Sequence, residues 1–462
     1  MVGQQGTLIN VDYHQRMTSD AQERASGRSG PAASIAGRRL DAHDAADRLG
    51  VKVETLYAYV SRGLISSERA GDGRSSTFAV RDVERLALRG RPRRSSRGPV
   101  IDVSVQTELT EIDGRHLRYR GHEVARLASS ASFEQVATLL WDGSLPGTPV
   151  RWSAGARLPY SPPVATLLER LRLAVALDAC GIASAIDMGA DGGASLVAGG
   201  PALLATMVDS LPVLVGGIGA MERGSRGLHA PETGRSSTPI PTLRIGGSAP
   251  LRGSIAGRLS VRLVERRPTP ALVVALNSAL VLLADHEMAA STLAARVAAS
   301  TRADAHAVVS AGMGPVAGAL HGRASRSVRS LFAEAERTSP SSVGRRLASQ
   351  RGLIAGIGHG LYPHGDPRFV ALLDAVRRSG APARRQRLVD EVLSELSVAG
   401  VGRPNVDMAL GALGYAWDMP SDAGEAIFTV ARSAGWLAHG AEEWSHRPLR
   451  YRSRARYVGP RP

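Results

Sequence analysis

The stretch GIGHGLYPHGDPR, Gly356 to Arg368, sets two histidines, a tyrosine and an Asp-Pro-Arg triplet among glycines. Imidazoles exchange protons near neutral pH, and a guanidinium can hold a carboxylate through two parallel N–H bonds. Four further segments place polar groups in apolar surroundings: LLADHEMAAST around His286, GALHGRASRSV around His321, GRPNVDMALG around Asp407 and VARSAGWLAH around Arg432. Taken singly, each fits a satisfied core residue, above all His286 at the end of an apolar run. Their order and spacing carry the weight.

The elements that must position these groups read as helices. After residue 120, Ala and Leu recur at spacings of three and four with few alternating β-branched runs, so the chain is mostly α. The longest apolar run, Ala271 to Ala284, is shorter than the roughly 20 residues that cross a bilayer and contains Asn277, which predicts a buried helix. Glycines break the pattern in DMGADGGASLVAGG (187–200) and across 226–253, where loops or an insertion are expected. GMGPVAG, Gly312 to Gly318, lacks the preceding strand of a dinucleotide loop and reads as glycine-mediated helix packing. No His-Glu-x-x-His set is present, so no metal is expected. The one cysteine, Cys180, excludes an intramolecular disulfide, suits a cytoplasmic location and is expected in the core. Residues 1–38 are polar and rich in Ser, Gly and Ala, reading as a disordered tail with no secretory signal. Net charge is +15, but Lys52 is the only lysine; the arginine excess fits a coding bias and by itself says little about polyanionic partners.

Residues 39–90 behave as a separate unit. Asp41 can cap a first short helix, Gly50 turns the chain, and Val53, Leu56, Tyr57 and Val60 line the inner face of a second. Lys52, Thr55, Tyr59, Ser61 and Arg62 then fall on the outer face. Two extended arms around Gly71-Asp72-Gly73 and a closing helix follow, and the whole resembles a MerR/excisionase-type winged helix-turn-helix. That resemblance implies DNA contacts from Lys52, Thr55, Tyr59 and Arg62, with Arg91, Arg93 and Arg94 of a basic linker (91–100) available to phosphates.

From residue 101 to 462 the ordered motifs resemble the citrate synthase family; GHGLYPHGDPR and the opening TELTEIDGRHLRYRGHEVARLASSASFEQVATLLWDGSLP are the most specific matches. The resemblance implies large and small helical domains, the small one roughly 327–410, and condensation of acetyl-CoA or propionyl-CoA with oxaloacetate. It assigns catalysis to Asp407 as carbon base, His321 as enol stabiliser and His359 as ketone polariser, and substrate binding to His286, Arg368, Arg432 and Arg452. It further implies a homodimer whose Arg452 serves the neighbouring site, acetyl-CoA as co-substrate, and no permanently bound cofactor. Ser453 stands where the family has Pro, leaving Arg450 and Arg454 as alternatives to Arg452. Ser325 stands where the family has Asn, Arg323 departs from a small or apolar residue close to the expected CoA channel, and Gly360 replaces an Arg common in bacterial relatives at a variable position. A metabolite-sensing regulator is the alternative, although a sensor needs the arginines and not the base.

Overall fold

A computed structural model describes residues 39–49, 51–69, 76–79, 82–83, 104–156, 158, 166–182, 192–214, 253–318, 322–350 and 352–452. The chain divides into two units, Met1–Val103 and Ser104–Pro462. The first holds β1 (Arg39–Leu40), α1 (Ala42–Leu49), α2 (Val53–Ser61), β2 (Ser67–Arg69) and β3 (Ser76–Ala79). The Asp41 carboxylate accepts the Asp44 N–H at 2.8 Å, the capping bond expected at the start of α1. The strands form an antiparallel sheet in the order β1-β3-β2, with Phe78 paired to both Leu40 and Ser67. Ala45, Ala46, Leu56, Ile65, Phe78 and Val83 make its small core.

One assignment in this unit changes. Tyr59, expected on the outer face, is partly buried against the small core, while Tyr57, expected inside, is 43% exposed and meets Phe78 only edge-on. The two tyrosines sit on opposite flanks of the apolar stripe, so a small roll of α2 decides which is covered. The Gly71–Gly73 turn, the closing helix beyond Val83, and Arg91, Arg93 and Arg94 lie outside the described residues.

The second unit opens with an antiparallel meander, β4 (Thr110–Ile112), β5 (Leu117–Tyr119) and β6 (His122–Glu123), and turns at Arg120 and Gly121, both at positive φ. Helices follow: α3 (Val124–Ser130), α4 (Phe133–Asp142), α5 (Leu167–Ile182), α6 (Gly192–Ala198), α7 (Gly200–Asp209), α8 (Ile255–Leu263), α9 (Pro270–Leu283), α10 (Ala290–Ser300), α11 (Ala305–Val316), α12 (Ala324–Arg337), α13 (Pro340–Ser349), α14 (Pro367–Arg378), α15 (Ala383–Val398), α16 (Val406–Ala416) and α17 (Ala423–Trp444). The described residues are therefore mostly helical, and none of their helices is long and apolar enough to cross a membrane.

The 22-residue α17 is the hub, packing against α4 to α7, α9 to α12 and α16. Alongside it runs α9, the apolar segment singled out above. Thr269 caps α9 by accepting the Leu272 N–H, and Pro270 occupies the first turn, where its missing donor costs nothing. Asn277 is fully buried yet satisfied: its Oδ1 accepts the Phe133 N–H and its Nδ2 donates to Ala131 O, both at 2.9 Å. A polar residue mid-helix thus fixes the start of α4 against α9. Helices α12 to α16 form a neighbouring group in which α16 packs against α12 and α14, and α14 against α9.

Glycine accounts for the main departure from expectation. The 187–200 segment was expected as loop, but Gly192 opens α6 and Gly200 opens α7. A Cβ on Gly192 would come within 2.0 Å of the Trp444 ring, and one on Gly200 within 2.8 Å of Trp141. These glycines permit close helix approach rather than breaking the helix, as Gly312 does in α11 against Trp436. Cys180 is exposed and not in the core, because the inward face of α5 runs through Leu171, Ala174, Val175 and Asp178. Most of 226–253 lies outside the described residues.

Candidate active site

Two distant segments are laced together to make the site. Gly358 N donates to Arg403 O at 2.7 Å, Asn405 N donates to Gly356 O at 2.9 Å, and Ile357 bridges Pro404. Gly356 must be glycine twice over, since its φ is +79° and a Cβ would meet Val328 Cγ2 at 2.6 Å. Asn405 caps α16 by accepting the Asp407 N–H at 3.0 Å, while its Nδ2 donates to Gly358 O at 2.8 Å. His359 and Asp407 are thereby carried on one interlocked frame.

Asp366 completes that frame. Only 3% exposed, it caps α14 through the Arg368 N–H, binds Nε and Nη2 of the Arg368 guanidinium at 2.9 and 2.8 Å, and accepts the Val406 N–H at 3.0 Å. Burial would push this carboxyl up, but Arg368 and the two backbone donors hold it below the ordinary carboxylate range.

His286 follows the end of α9, and Glu287 after it takes a left-handed φ of 51°. The turn is tied down from two sides. Tyr119 Oη donates to Asp285 O at 2.8 Å, and α17 supplies Arg432 Nε to Leu283 O at 2.8 Å and Gly435 N to Ala284 O at 3.1 Å. His286, His359 and Tyr362 form a triangle with ring centroids 5.0, 5.5 and 4.8 Å apart, and His286 Nε2 lies 2.9 Å from Tyr362 Oη. Burial, then the neighbouring Arg368, Arg432 and His359, push the His286 pKa well below its ordinary value. His359 is lowered by burial and Arg368, against an opposing pull from Asp366. Both imidazoles are therefore neutral at pH 7. The Leu361 N–H donates to His359 Nδ1 at 3.2 Å, which leaves the ring proton on Nε2.

The two arginines are 4% and 2% exposed. Arg368 spends Nε and Nη2 on Asp366; Arg432 spends Nε on Leu283 O and stacks over Phe428 at 4.6 Å. Among the described residues, Arg368 Nη1 and both Arg432 Nη atoms hydrogen-bond no protein acceptor. Buried guanidinium groups with unspent donors are suited to anionic oxygens. Burial pushes the Asp407 carboxyl up to about 6; Arg368 and Arg432 pull it down and Asp366 pushes it further up. The cluster thus offers a weakly acidic carboxyl, two neutral imidazoles and two cations in one desolvated place.

The structure brings together Asp407, His359, His286, Arg368 and Arg432. His321 lies outside the described residues. Arg452 is exposed at the end of the described chain, whereas the alternative Arg450 is committed to Glu443 through Nε and Nη2. Ser325 is buried where α12 meets α17: a Cβ on Gly424 would lie 2.4 Å from its Oγ, so a larger side chain has no room. In the first unit Lys52 and Arg62 are exposed, and Thr55 is half-buried like Tyr59. Sequence reasoning gave no role to Asp366, Asn405 or Tyr362; the one available signal was Asp immediately before Pro, a helix-start pattern. No group of three or more His, Cys, Asp or Glu among the described residues could hold a metal ion.

The family described as citrate synthase, C-terminal domain, matches residues 102–171 and 239–453, more than half of the chain. The citrate synthase of Mycolicibacterium smegmatis is 29% identical over 362 residues, covering 75% of this chain and 90% of that protein. The 2-methylcitrate synthase of Mycobacterium tuberculosis strain H37Rv is 30% identical over 364 residues, covering 75% and 85%. Two solved structures share the fold at 22% identity. Citrate synthase from Thermotoga maritima superposes with a TM-score of 0.56, covering 77% of this chain and 93% of that one. The Thermoplasma acidophilum citrate synthase in ternary complex with carboxymethyl coenzyme A and oxaloacetate gives 0.54, covering 78% and 95%.

The raised Asp407 pKa has a consequence for stability. A carboxyl whose folded pKa of about 6 exceeds its unfolded value destabilises the fold while ionised, and the penalty fades as pH falls through 6 towards 4. Asp407→Asn should therefore be more stable than the parent by about 1–3 kcal/mol at pH 8, with the gap closing by pH 4.5. Denaturant unfolding at the two pH values measures this, and equal gaps would contradict it.

Proposed function

The chain belongs to the citrate synthase family, and we propose that it joins acetyl-CoA or propionyl-CoA to oxaloacetate in the cytoplasm, releasing citrate or 2-methylcitrate and free CoA. It is a citrate synthase-type enzyme that takes acyl-CoA as co-substrate and keeps no permanent cofactor. The observation that carries this reading is Asp407: a carboxyl raised to about 6 beside two buried guanidinium groups with unspent donors. A protein that only sensed a metabolite would need the guanidiniums and have no use for a carboxyl held at a raised pKa.

In this reading Arg368 and Arg432 hold the two carboxylates of oxaloacetate, and His286 hydrogen-bonds the same molecule. Asp407 removes a proton from the carbon α to the thioester. His321, neutral, donates to the thioester oxygen and stabilises the enol or enolate. The carbon nucleophile attacks the ketone, whose oxygen receives the Nε2 proton of His359 as it becomes an alkoxide. Water then cleaves the thioester, and the thiol of CoA leaves. Arg452 completes the neighbouring subunit's site in a homodimer.

A second activity is inferred for the first unit. Two packed helices beside an antiparallel sheet, with Lys52 and Arg62 exposed at the two ends of α2, support reading it as a MerR-like DNA-binding module.

Three outcomes test these assignments. Asp407→Asn keeps the shape without the proton acceptor, so CoA thiol release from oxaloacetate and acetyl-CoA should fall about 10² to 10⁴-fold with oxaloacetate binding retained. Parent-like turnover would remove Asp407 from the role of base. Mixing inactive Arg452→Ala chains with inactive His321→Ala chains should restore partial activity, because each mixed dimer has one site with both residues intact. No recovery after verified subunit exchange speaks against shared sites. Deleting residues 1–97 should leave condensation largely intact and abolish binding to genomic DNA fragments, followed across a salt series whose slope reports about 0.9 per phosphate contact. Full-length protein that binds no fragment in a salt-dependent way would leave the module without a DNA role.

A further inference from the structure

Tyr362 stands inside the site and has no part in the chemistry above. It is 2% exposed, its ring packs against both His359 and His286, and the Arg368 guanidinium sits 5.6 Å from its centroid. Its hydroxyl hydrogen-bonds His286 Nε2 and, among the described residues, makes no other hydrogen bond. Two arrangements satisfy that contact. Either the phenol donates to a lone pair on Nε2 and the ring proton is on Nδ1, or Nε2–H donates to the phenol oxygen.

The second arrangement leaves the phenol hydrogen buried without an acceptor among the described residues. The Asp366 oxygens are already taken by Arg368 and Val406, and the Glu287 carboxylate, whose charge acts on the phenol, makes no hydrogen bond to it. An unmade buried hydrogen bond costs more than a made one returns. The first arrangement leaves no orphan. We propose that Tyr362 is a positioning residue that holds His286 in the tautomer with its proton on Nδ1, so that oxaloacetate meets a histidine whose ring is already oriented. Burial pushes the phenol far above its ordinary pKa, so the hydroxyl keeps the proton it donates.

The inference rests on the reading of His286 as an oxaloacetate ligand, and its test separates the two. Histidine-labelled full-length protein, with His286 assigned by its loss in His286→Asn, reports the tautomer directly through the imidazole nitrogen shifts. The parent should show a protonated Nδ1 at His286. Tyr362→Phe, which keeps the ring and its stacking, should show mixed tautomers, a KM for oxaloacetate raised about three- to tenfold, and kcat changed less than threefold. Protonated Nε2 in the parent, or an unchanged tautomer in Tyr362→Phe, overturns the proposal whatever the activity. Changed tautomers with an unchanged KM overturn the positioning role. A parent that releases no thiol from acetyl-CoA and oxaloacetate defeats the proposed reaction while the tautomer measurement still decides the Tyr362–His286 bond.

Discussion

The placing of Arg368 against Asp407 depends on the four hydrogen bonds that the Asp366 carboxylate accepts. Three go to Arg368, through its backbone N–H, Nε and Nη2, and one goes to the Val406 N–H at the head of α16. A single buried group therefore fixes the distance between the Arg368 guanidinium and Asp407, the residue after Val406. Hydrogen bonds to charged groups contribute about 1.5–3 kcal/mol each, whereas stripping one partner from a buried ion pair costs about 3–5 kcal/mol. Without Asp366, Arg368 would be a buried cation stripped of its partner, and α14 and α16 would lose their common anchor. By occupying one edge of the guanidinium, Asp366 also determines which edge faces a ligand.

The other half of the site rests on a second buried carboxylate. Asp285 accepts from Thr110 Oγ1 and from His439 Nε2, the latter at 3.2 Å, and immediately precedes His286. The direction of the His439 bond is not open. Arg296 Nη1 lies 2.7 Å from His439 Nδ1, and a guanidinium can only donate, so Nδ1 carries the lone pair and Nε2 the proton. Burial alone would push Asp285 up; His439, Arg432 and Thr110 outweigh it and keep the carboxyl below its ordinary value. Arg296 then continues to Glu442 and Glu443, and Glu443 holds Arg450 and Tyr451 next to Arg452. One ladder of charges along α17 thus ties the turn before His286 to the segment that carries Arg452.

What could be read from the sequence, and what could not, divides along physical lines. The run Ala271 to Ala284 announced α9 because an apolar stretch of that length with a Thr-Pro start has few alternatives, and Asn277 within it proved to be bonded on both sides. The order of His286, His359, Arg368, Asp407 and Arg432 was legible because each lies in a short local motif. Gly192 and Gly200 were misread because glycine has two structural uses, turning a chain and admitting a neighbour, and only the position of Trp444 and Trp141 separates them. Cys180 was misplaced because residue type outweighed its place two positions past Asp178 on α5. Asp285 and His439 act through partners distant in sequence, and Asp366 joins the nearby Arg368 to the distant Val406, so no window around them shows all that they hold.

The balance at Asp407 explains how a carboxylate of raised pKa can share a pocket with two arginines. Placed against unshielded cations, an Asp is a weaker base than it is in water; buried without them, it would be largely protonated at neutral pH. Here burial is the larger effect, Arg368 and Arg432 take back part of it, and the carboxyl settles at about 6. At pH 7 such a group is ionised in roughly nine molecules of ten and yet is a far stronger base than an exposed aspartate. The pairing of Arg368 with Asp366 is what keeps that balance, since it tempers one cation and adds a like charge that lifts Asp407. The pair that anchors Arg368 to α16 therefore also adjusts the basicity that burial gives Asp407.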